Sequence, residues 1–248
     1  DTARANCPTS SRLSLYIMRK HAVIVAGGTG VRMGTSQPKQ FLEIAGEPVI
    51  VHTLRAFMLA FPDIQLTVVL PQNFIEEGTN LITSKLDYPV EIVGGGETRF
   101  HSVQNGLATV KEEAVVFVHD AVRCLVSAAL IRSCYEEALI TGSAVPVLTS
   151  RDSIRFMEQG EHRVLNREQV LLVQTPQVFL SSCILPAFQV PYDSSFTDEA
   201  TVVEKAGYTI KLVHGEESNI KITRPVDLLI AAEWMQEKNR IKDEPAAD

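Results

Sequence analysis

The chain has 248 residues, 45% of them hydrophobic and 21% charged. That suits one large α/β domain or two small ones with a sizeable core, and it excludes disorder, a collagen-like repeat and a disulfide scaffold. Lys and Arg total 23 against 30 Asp and Glu, and the formal charge of −7 excludes the basic footprint of a general nucleic-acid binder.

The cysteines Cys7, Cys124, Cys134 and Cys183 show neither C-x-x-C nor zinc-ligand spacing. They are expected to be free thiols in a reducing, cytoplasmic compartment. No apolar run approaches ~18 residues, so no membrane span is expected. Residues 1–17 carry Ser, Thr and Arg without apolar periodicity and read as a tag or unstructured leader, with Met18 as the native start. An organelle-targeting piece is the alternative reading, on Arg4 and Arg12 in Ser-rich surroundings.

Strand and helix alternate from there. His21–Ala26 is a buried strand stopping at Gly27-Gly28. Apolar residues at helical spacing predict a helix from Pro48 to Phe61. Ile64–Leu70 is a strand, Asn73–Leu86 a helix, and Val90–Val93 a strand ending in Gly94-Gly95-Gly96. A helix over Ser102–Val110 leads to the strand Ala114–Val118. Ser127 caps a helix to Ile140, with Gly142 beyond it, and Ala144–Val147 is the next strand.

Between Leu148 and Leu172 charged and apolar residues alternate around Gln159-Gly160, predicting a two-stranded hairpin that projects from the main sheet. Thr197 caps a helix to Ala206. Thr209–Val213 and Asn219–Ile222 are strands, Pro225 opens a last helix, and residues 242–248 form a flexible tail. Short strands joined by single helices predict one α/β domain over 18–241, Rossmann-like, with a mostly parallel sheet, helices on both faces and a hairpin arm over about 148–172. Ligands of such sheets sit at the strands' carboxyl ends.

Three segments fall at those ends. The first is Ala26-Gly27-Gly28-Thr29-Gly30-Val31-Arg32-Met33-Gly34, followed by Lys39. Glycines after a buried strand let backbone N–H groups approach a phosphate, and Arg32 and Lys39 add positive charge. The Walker pattern is absent, and Met33 stands where a dinucleotide fingerprint needs its third Gly. In the second segment, Val116 to Arg123, a buried strand runs into Asp120. A carboxylate facing a phosphate loop is a natural Mg²⁺ ligand, although pairing with Arg123 alone would also explain it. In the third, Lys221 alternates with Ile220 and Ile222; such a Lys either meets an anion or lies on a surface edge. The turn from Gly94 to Arg99, with Ser102, could hold a base or ribose, or be only a turn.

Together these segments resemble the 2-C-methyl-D-erythritol 4-phosphate cytidylyltransferase family of the non-mevalonate isoprenoid pathway. The resemblance rests on AGGTGVRMGTSQPKQF, GGETRFHSV, VFVHDAVR, QTPQVF, TDEA and SNIKITRPVDL, in that family's order and spacing over about Lys20–Glu237. It implies a nucleotidyltransferase that joins CTP to the polyol phosphate and releases pyrophosphate. It implies catalytic roles for Arg32, Lys39 and Lys221, and a CTP site from Ala26, Gly27, Gly28, Gly96, Glu97 and Ser102. Asp120 would bind Mg²⁺ or another divalent cation. Asp120, Arg123, Ser153, Arg167 and Thr197 would line the polyol-phosphate side. It also implies a homodimer in which the hairpin arm swaps over the partner, carrying Ser153 and Arg167 to the partner's substrate.

Three positions depart from the family pattern: Ser153 stands where Thr is usual, Cys124 where Pro is usual, and Glu97 where Asp is common. Ribitol-5-phosphate cytidylyltransferase and a catalytically silent nucleotide-binding domain remain as alternatives. A hexose-phosphate nucleotidyltransferase fits less well, because it would share only the first loop.

Overall fold

The computed structural model describes residues 18–27 and 37–243, with side chains described as far as residue 237. The leader, the heart of the first glycine loop with Gly28 and Arg32, and residues 244–248 of the tail lie outside the described residues.

Strand β1 (Arg19–Val25) is buried from His21 onward. It pairs in parallel with β4 (Gln65–Leu70) on one side and β6 (Ala114–Asp120) on the other. β4 continues to β5 (Val90–Gly94), again in parallel. Beyond β6, β11 (Gln177–Leu180) runs antiparallel and links to β7 (Ser143–Thr149). β7 also holds β10 (Leu171–Val173), antiparallel, and β12 (Leu212–His214), parallel. The eight-stranded sheet is therefore mostly parallel.

Both faces are covered, as parallel sheets require. Helices α1 (Val49–Ala60), α2 (Ile75–Lys85) and α4 (Ala128–Thr141) pack on one face through Leu54, Phe57, Ile82 and Ile131. Helices α3 (Arg99–Leu107), α5 (Ser181–Ala187) and α6 (Glu199–Lys205) cover the other through Val103, Leu107, Ile184 and Val203. Each such fully buried side chain contributes about 1.5–3 kcal/mol of transfer free energy. A third apolar cluster joins Ile44, Val49, Val122, Leu125 and Ile222 to Ala231 on the last helix, α7 (Pro225–Asp243).

Several sequence expectations need correction. Helix α3 starts three residues early, because the Thr98 side chain caps it by accepting the His101 N–H. Ser102 is therefore intrahelical, its hydroxyl donating to the Thr98 carbonyl at 2.9 Å. Asp198, not Thr197, caps α6: it accepts the Thr201 N–H at 2.9 Å while the Thr201 hydroxyl accepts the Asp198 N–H. Residues 219–222 join no strand ladder; Ile222 N donates to Val122 O at 3.0 Å just past the end of β6, and the Asn219 side-chain amide donates to Thr175 O at 2.8 Å. The strand expected at Thr209–Val213 shortens and shifts to β12. Strand β11, helix α5 and the two-residue strands β2 (Glu43–Ile44) and β3 (Glu47–Pro48) had no sequence signal long enough to register. Cys124 and Cys134 are free and buried, but Cys183 is disulfide-bonded, contrary to the expectation of free thiols throughout.

Between β7 and β10, strands β8 (Ile154–Glu158) and β9 (Glu161–Leu165) form a two-stranded sheet of their own among the described residues. Gln159 and Gly160 turn the ribbon with φ of 50° and 87°. Positive φ at both central positions gives the twist that a two-residue hairpin loop needs.

Candidate active site

The carboxyl ends of β1, β5 and β6 meet at a cavity of about 270 Å³. Its wall includes Ala26, Gly27, Lys39, Gly96, Glu97 and Ser102, and it closes on Asp120 and Lys221. Seven expected CTP-side or catalytic residues, Lys221 included, thus share one wall with the expected metal ligand. Arg123 adjoins that wall through Asp120. Thr197, Ser153 and Arg167 do not line the cavity: all three are exposed, and Arg167 donates to the Arg151 carbonyl at the base of the ribbon. Thr98 and Arg99, from the turn offered as a base or ribose site, also line it, and Val25, Gln40 and Val122, to which the sequence gives no role, complete the lining.

Local structure explains this assembly. Gln40, buried in the short helical turn after the first loop, donates to the Ala26 carbonyl at 2.7 Å and clamps the loop's two ends. Lys39 donates to the Ile222 carbonyl at 2.8 Å, which joins the end of the first loop to the segment bearing Lys221. Gly96 donates its N–H to the Ser102 hydroxyl at 3.1 Å. A Cβ on Gly96 would stand 2.4 Å from the His101 Cβ, so only glycine permits this close turn onto α3.

Asp120 is the electrostatic centre. Its Oδ2 lies 2.8 Å from Lys221 Nζ and 3.7 Å from Arg123 Nε, and its Oδ1 lies 3.3 Å from an Arg99 nitrogen. Burial alone would raise its pKa. Arg99 first, then Lys221 and Arg123, reverse that and hold it well below the usual carboxylate range. Pairing with Arg123 alone therefore does not account for it. Lys221 meets an anion, Asp120, although it does so from a loop and not a strand and its side chain stays 41% exposed.

Behind Asp120, Arg99 pairs through both arms with Glu199, one contact with Oε1 and a second at 3.1 Å with Oε2. Burial raises the Glu199 carboxyl, and Arg99 only partly opposes it. The sequence gives Glu199 no role, and it gives Arg99 only a place in the Gly94–Arg99 turn. A cation at the first position of a helix with no acid in its first turn is the available signal, because the helix dipole disfavours it there.

His119 is no candidate base. Burial pushes it down to about 3. Its Nε2 donates to the Arg123 carbonyl at 3.2 Å, so in the neutral ring Nδ1 accepts the Thr175 hydroxyl at 3.0 Å. The same Thr175 oxygen accepts the Asp120 N–H at 3.1 Å, so His119 helps orient the end of β6.

The family model described as 2-C-methyl-D-erythritol 4-phosphate cytidylyltransferase (IspD) matches residues 20–237. The chain belongs to this family. A cytidylyltransferase of that name from Phocaeicola vulgatus is 43% identical over 215 residues, 86% of this chain and 98% of the relative. One from Bacteroides fragilis is 42% identical, covering 87% and 99%. The crystal structure of 4-diphosphocytidyl-2C-methyl-D-erythritol synthase from Anaerococcus prevotii superposes with a TM-score of 0.77 at 26% identity, over 91% of this chain and all of that one. The fold and the order of motifs are thus those of the IspD nucleotidyltransferases, and the chain is a cytidylyltransferase enzyme of isoprenoid biosynthesis. Among the described residues, no helix is long and apolar enough to cross a membrane.

Proposed function

We propose that this chain transfers the cytidylyl group of CTP to 2-C-methyl-D-erythritol 4-phosphate. A phosphate oxygen of the polyol forms a bond to the α-phosphorus, the bond from that phosphorus to the β-phosphate bridging oxygen breaks, and pyrophosphate leaves. The observation that carries this reading is a cavity whose wall combines three cations, Lys39, Arg99 and Lys221, with a glycine turn and a single strand-end Asp. Both reactants are anions, and the nucleophile is already deprotonated near neutral pH. In-line positioning and charge neutralisation therefore carry the catalysis, and no general base is required.

In this reading Lys39, with Arg32, neutralises the triphosphate, and Lys221 stabilises charge at the phosphorus under attack. Ala26, Gly27, Gly28, Gly96, Glu97 and Ser102 seat the nucleotide. Arg123 and Thr197 face the polyol phosphate.

The family is one of divalent-cation enzymes, and Asp120 is an ionised carboxylate that could receive Mg²⁺ in place of Lys221 on its Oδ2. The cavity offers one ionised carboxylate at a strand end, with no cluster of three His, Cys, Asp or Glu among the described residues. A hard cation held by one carboxylate plus substrate phosphate oxygens matches that donor set. Asp120 would hold it, and when bound it would neutralise charge on the CTP phosphates.

The ribbon supports a homodimer. Phe156, Met157 and Val164 are 41%, 73% and 64% exposed, and an isolated two-stranded hairpin is marginal in water. A partner subunit would cover them, with Ser153 and Arg167 reaching its polyol phosphate. A cytoplasmic location accords with the family's chemistry.

The test is pyrophosphate release from CTP and Mg²⁺ with 2-C-methyl-D-erythritol 4-phosphate, ribitol 5-phosphate, or no acceptor. Release is expected with the methylerythritol phosphate. Equal or faster release with ribitol 5-phosphate would overturn the substrate assignment, and CTP binding without pyrophosphate release with either acceptor would leave a catalytically silent nucleotide-binding domain.

A further inference from the structure

The Arg99–Glu199 pair, its carboxylate buried and its guanidinium 30% exposed, lies one step behind Asp120; the reaction as read above counts Arg99 only as a charge in the cavity wall and gives Glu199 no role. We propose that Glu199 is a positioning residue that, through Arg99, sets the orientation of the Asp120 carboxylate; this rests on the reading of Asp120 as part of the polyol-phosphate side.

The geometry forms a relay. Gln177 on β11 is 1% exposed; its Nε2 donates to Asp198 Oδ2 at 2.9 Å and its Oε1 accepts the Ala200 N–H at 2.8 Å. These two bonds pin the first turn of α6, and Glu199 lies between the residues they hold. The Glu199 side chain is 1% exposed and grips both arms of Arg99. The nitrogen that reaches Oε2 also reaches Asp120 Oδ1 at 3.3 Å. A bidentate guanidinium–carboxylate pair fixes the plane and angle of the arginine fork. Arg99 therefore approaches only Oδ1 and leaves Oδ2 to Lys221.

Electrostatics point the same way. Arg99 sits at the positive end of the α3 dipole, where a cation is disfavoured. Glu199, at the first position of α6, is favoured by its own helix and offsets that penalty. Replacing a buried ion pair by apolar side chains is often neutral for stability, so stability alone does not require this pair.

The test compares Glu199→Gln with the double variant Arg99→Met/Glu199→Met, using Asp120→Asn to check the underlying reading. Thermal stability, CTP affinity by calorimetry, and kcat and KM for 2-C-methyl-D-erythritol 4-phosphate are measured for each. Glu199→Gln is expected to raise the polyol-phosphate KM about tenfold or more, the scale of a lost supporting contact, with CTP affinity nearly unchanged. The double variant is expected to recover stability relative to Glu199→Gln without recovering that KM. A double variant with wild-type KM, or a loss of CTP affinity in Glu199→Gln, which leaves the Arg99 charge in place, overturns the proposal. If neither variant folds, the pair is structural and the proposal falls. A wild-type KM in Asp120→Asn refutes the reading of Asp120 itself; a raised KM there, with unaffected Glu199 variants, refutes only the role of Glu199.

Discussion

Lys39 and Lys221 flank one short segment: one donates to the Ile222 carbonyl, and the other reaches Asp120 from the preceding residue. Removing Lys39 should therefore cost rate far more than stability. Lys39→Ala is expected to lower kcat about 10²–10³-fold, the range for one group matched to developing negative charge, while the folded spectrum persists. A folded variant with near wild-type kcat would show the loop to be only a turn. Asp120→Asn should raise the Mg²⁺ concentration needed for half-maximal rate, and full wild-type activity in excess chelator would remove Asp120 from metal binding. His21 has a different consequence. It is 4% exposed, bonded to the Thr67 hydroxyl at 2.8 Å, and burial lowers its pKa from 6.5 to about 4, with Gln65 partly opposing. Its folded pKa lies below its unfolded one, so the stability it contributes is complete above about 6.5 and is lost as the pH falls towards 4. Glu199, raised by burial, acts with the opposite sign. Comparison with a variant isolates the histidine: in His21→Gln the loss of unfolding free energy between pH 7 and pH 5 should shrink by about 2 kcal/mol, read by urea denaturation. Of these residues, Lys221 and Asp120 are legible in the sequence, since a charge between two isoleucines and an acid ending an apolar run both need a physical reason. Arg99 and Glu199 are not, because their partnership joins positions 100 residues apart.

At the level of elements, α3 lies very close to the sheet. A Cβ at Gly106 would stand 2.4 Å from a Val23 methyl and 2.9 Å from a Val69 methyl. Gly106→Ala gains up to about 1 kcal/mol of helix propensity but overpacks a filled layer, which typically costs about 1–3 kcal/mol. Net destabilisation is expected, checked by the denaturation midpoint; a higher midpoint would show that the layer can yield. The alternation of strands and helices is readable because buried runs such as residues 114–120 and helical spacing such as residues 49–60 carry long periodic signals. Strand β11, with four residues, is too short to announce itself, and its antiparallel direction follows from tertiary pairing with β6 and β7. The start of α3 is ambiguous in the sequence because two hydroxyl residues, Thr98 and Ser102, are both capable caps, and in the structure Thr98 caps the helix while the Ser102 hydroxyl accepts the Gly96 N–H. The loop at 219–222 mimics a strand in pattern, yet Lys39 and Arg123 take its carbonyls at Ile222 and Asn219.

At the scale of the whole molecule, the single chain presents a nucleotide wall and a charge cluster together, while Ser153 and Arg167 stay exposed at the ribbon's base. If the ribbon crosses to a partner subunit, the enzyme is a dimer, and light scattering should show no fully active monomer. Arg167 would then act in trans on the polyol phosphate, while Lys39 acts in cis on CTP. A guanidinium can grip a terminal phosphomonoester through two parallel hydrogen bonds, and it has no reason to touch the nucleotide bound to its own chain. Arg167→Ala should raise the polyol-phosphate KM and leave CTP affinity nearly unchanged. Mixing Arg167→Ala with Lys39→Ala subunits gives the sharper measurement. In a heterodimer one site combines both defects, and the other has neither. Activity should reappear from two poorly active parents, approaching one intact site per heterodimer. If the subunits exchange, as shown by differential tagging, and no activity returns, Arg167 works within its own chain and the ribbon does not carry it across the two-fold axis.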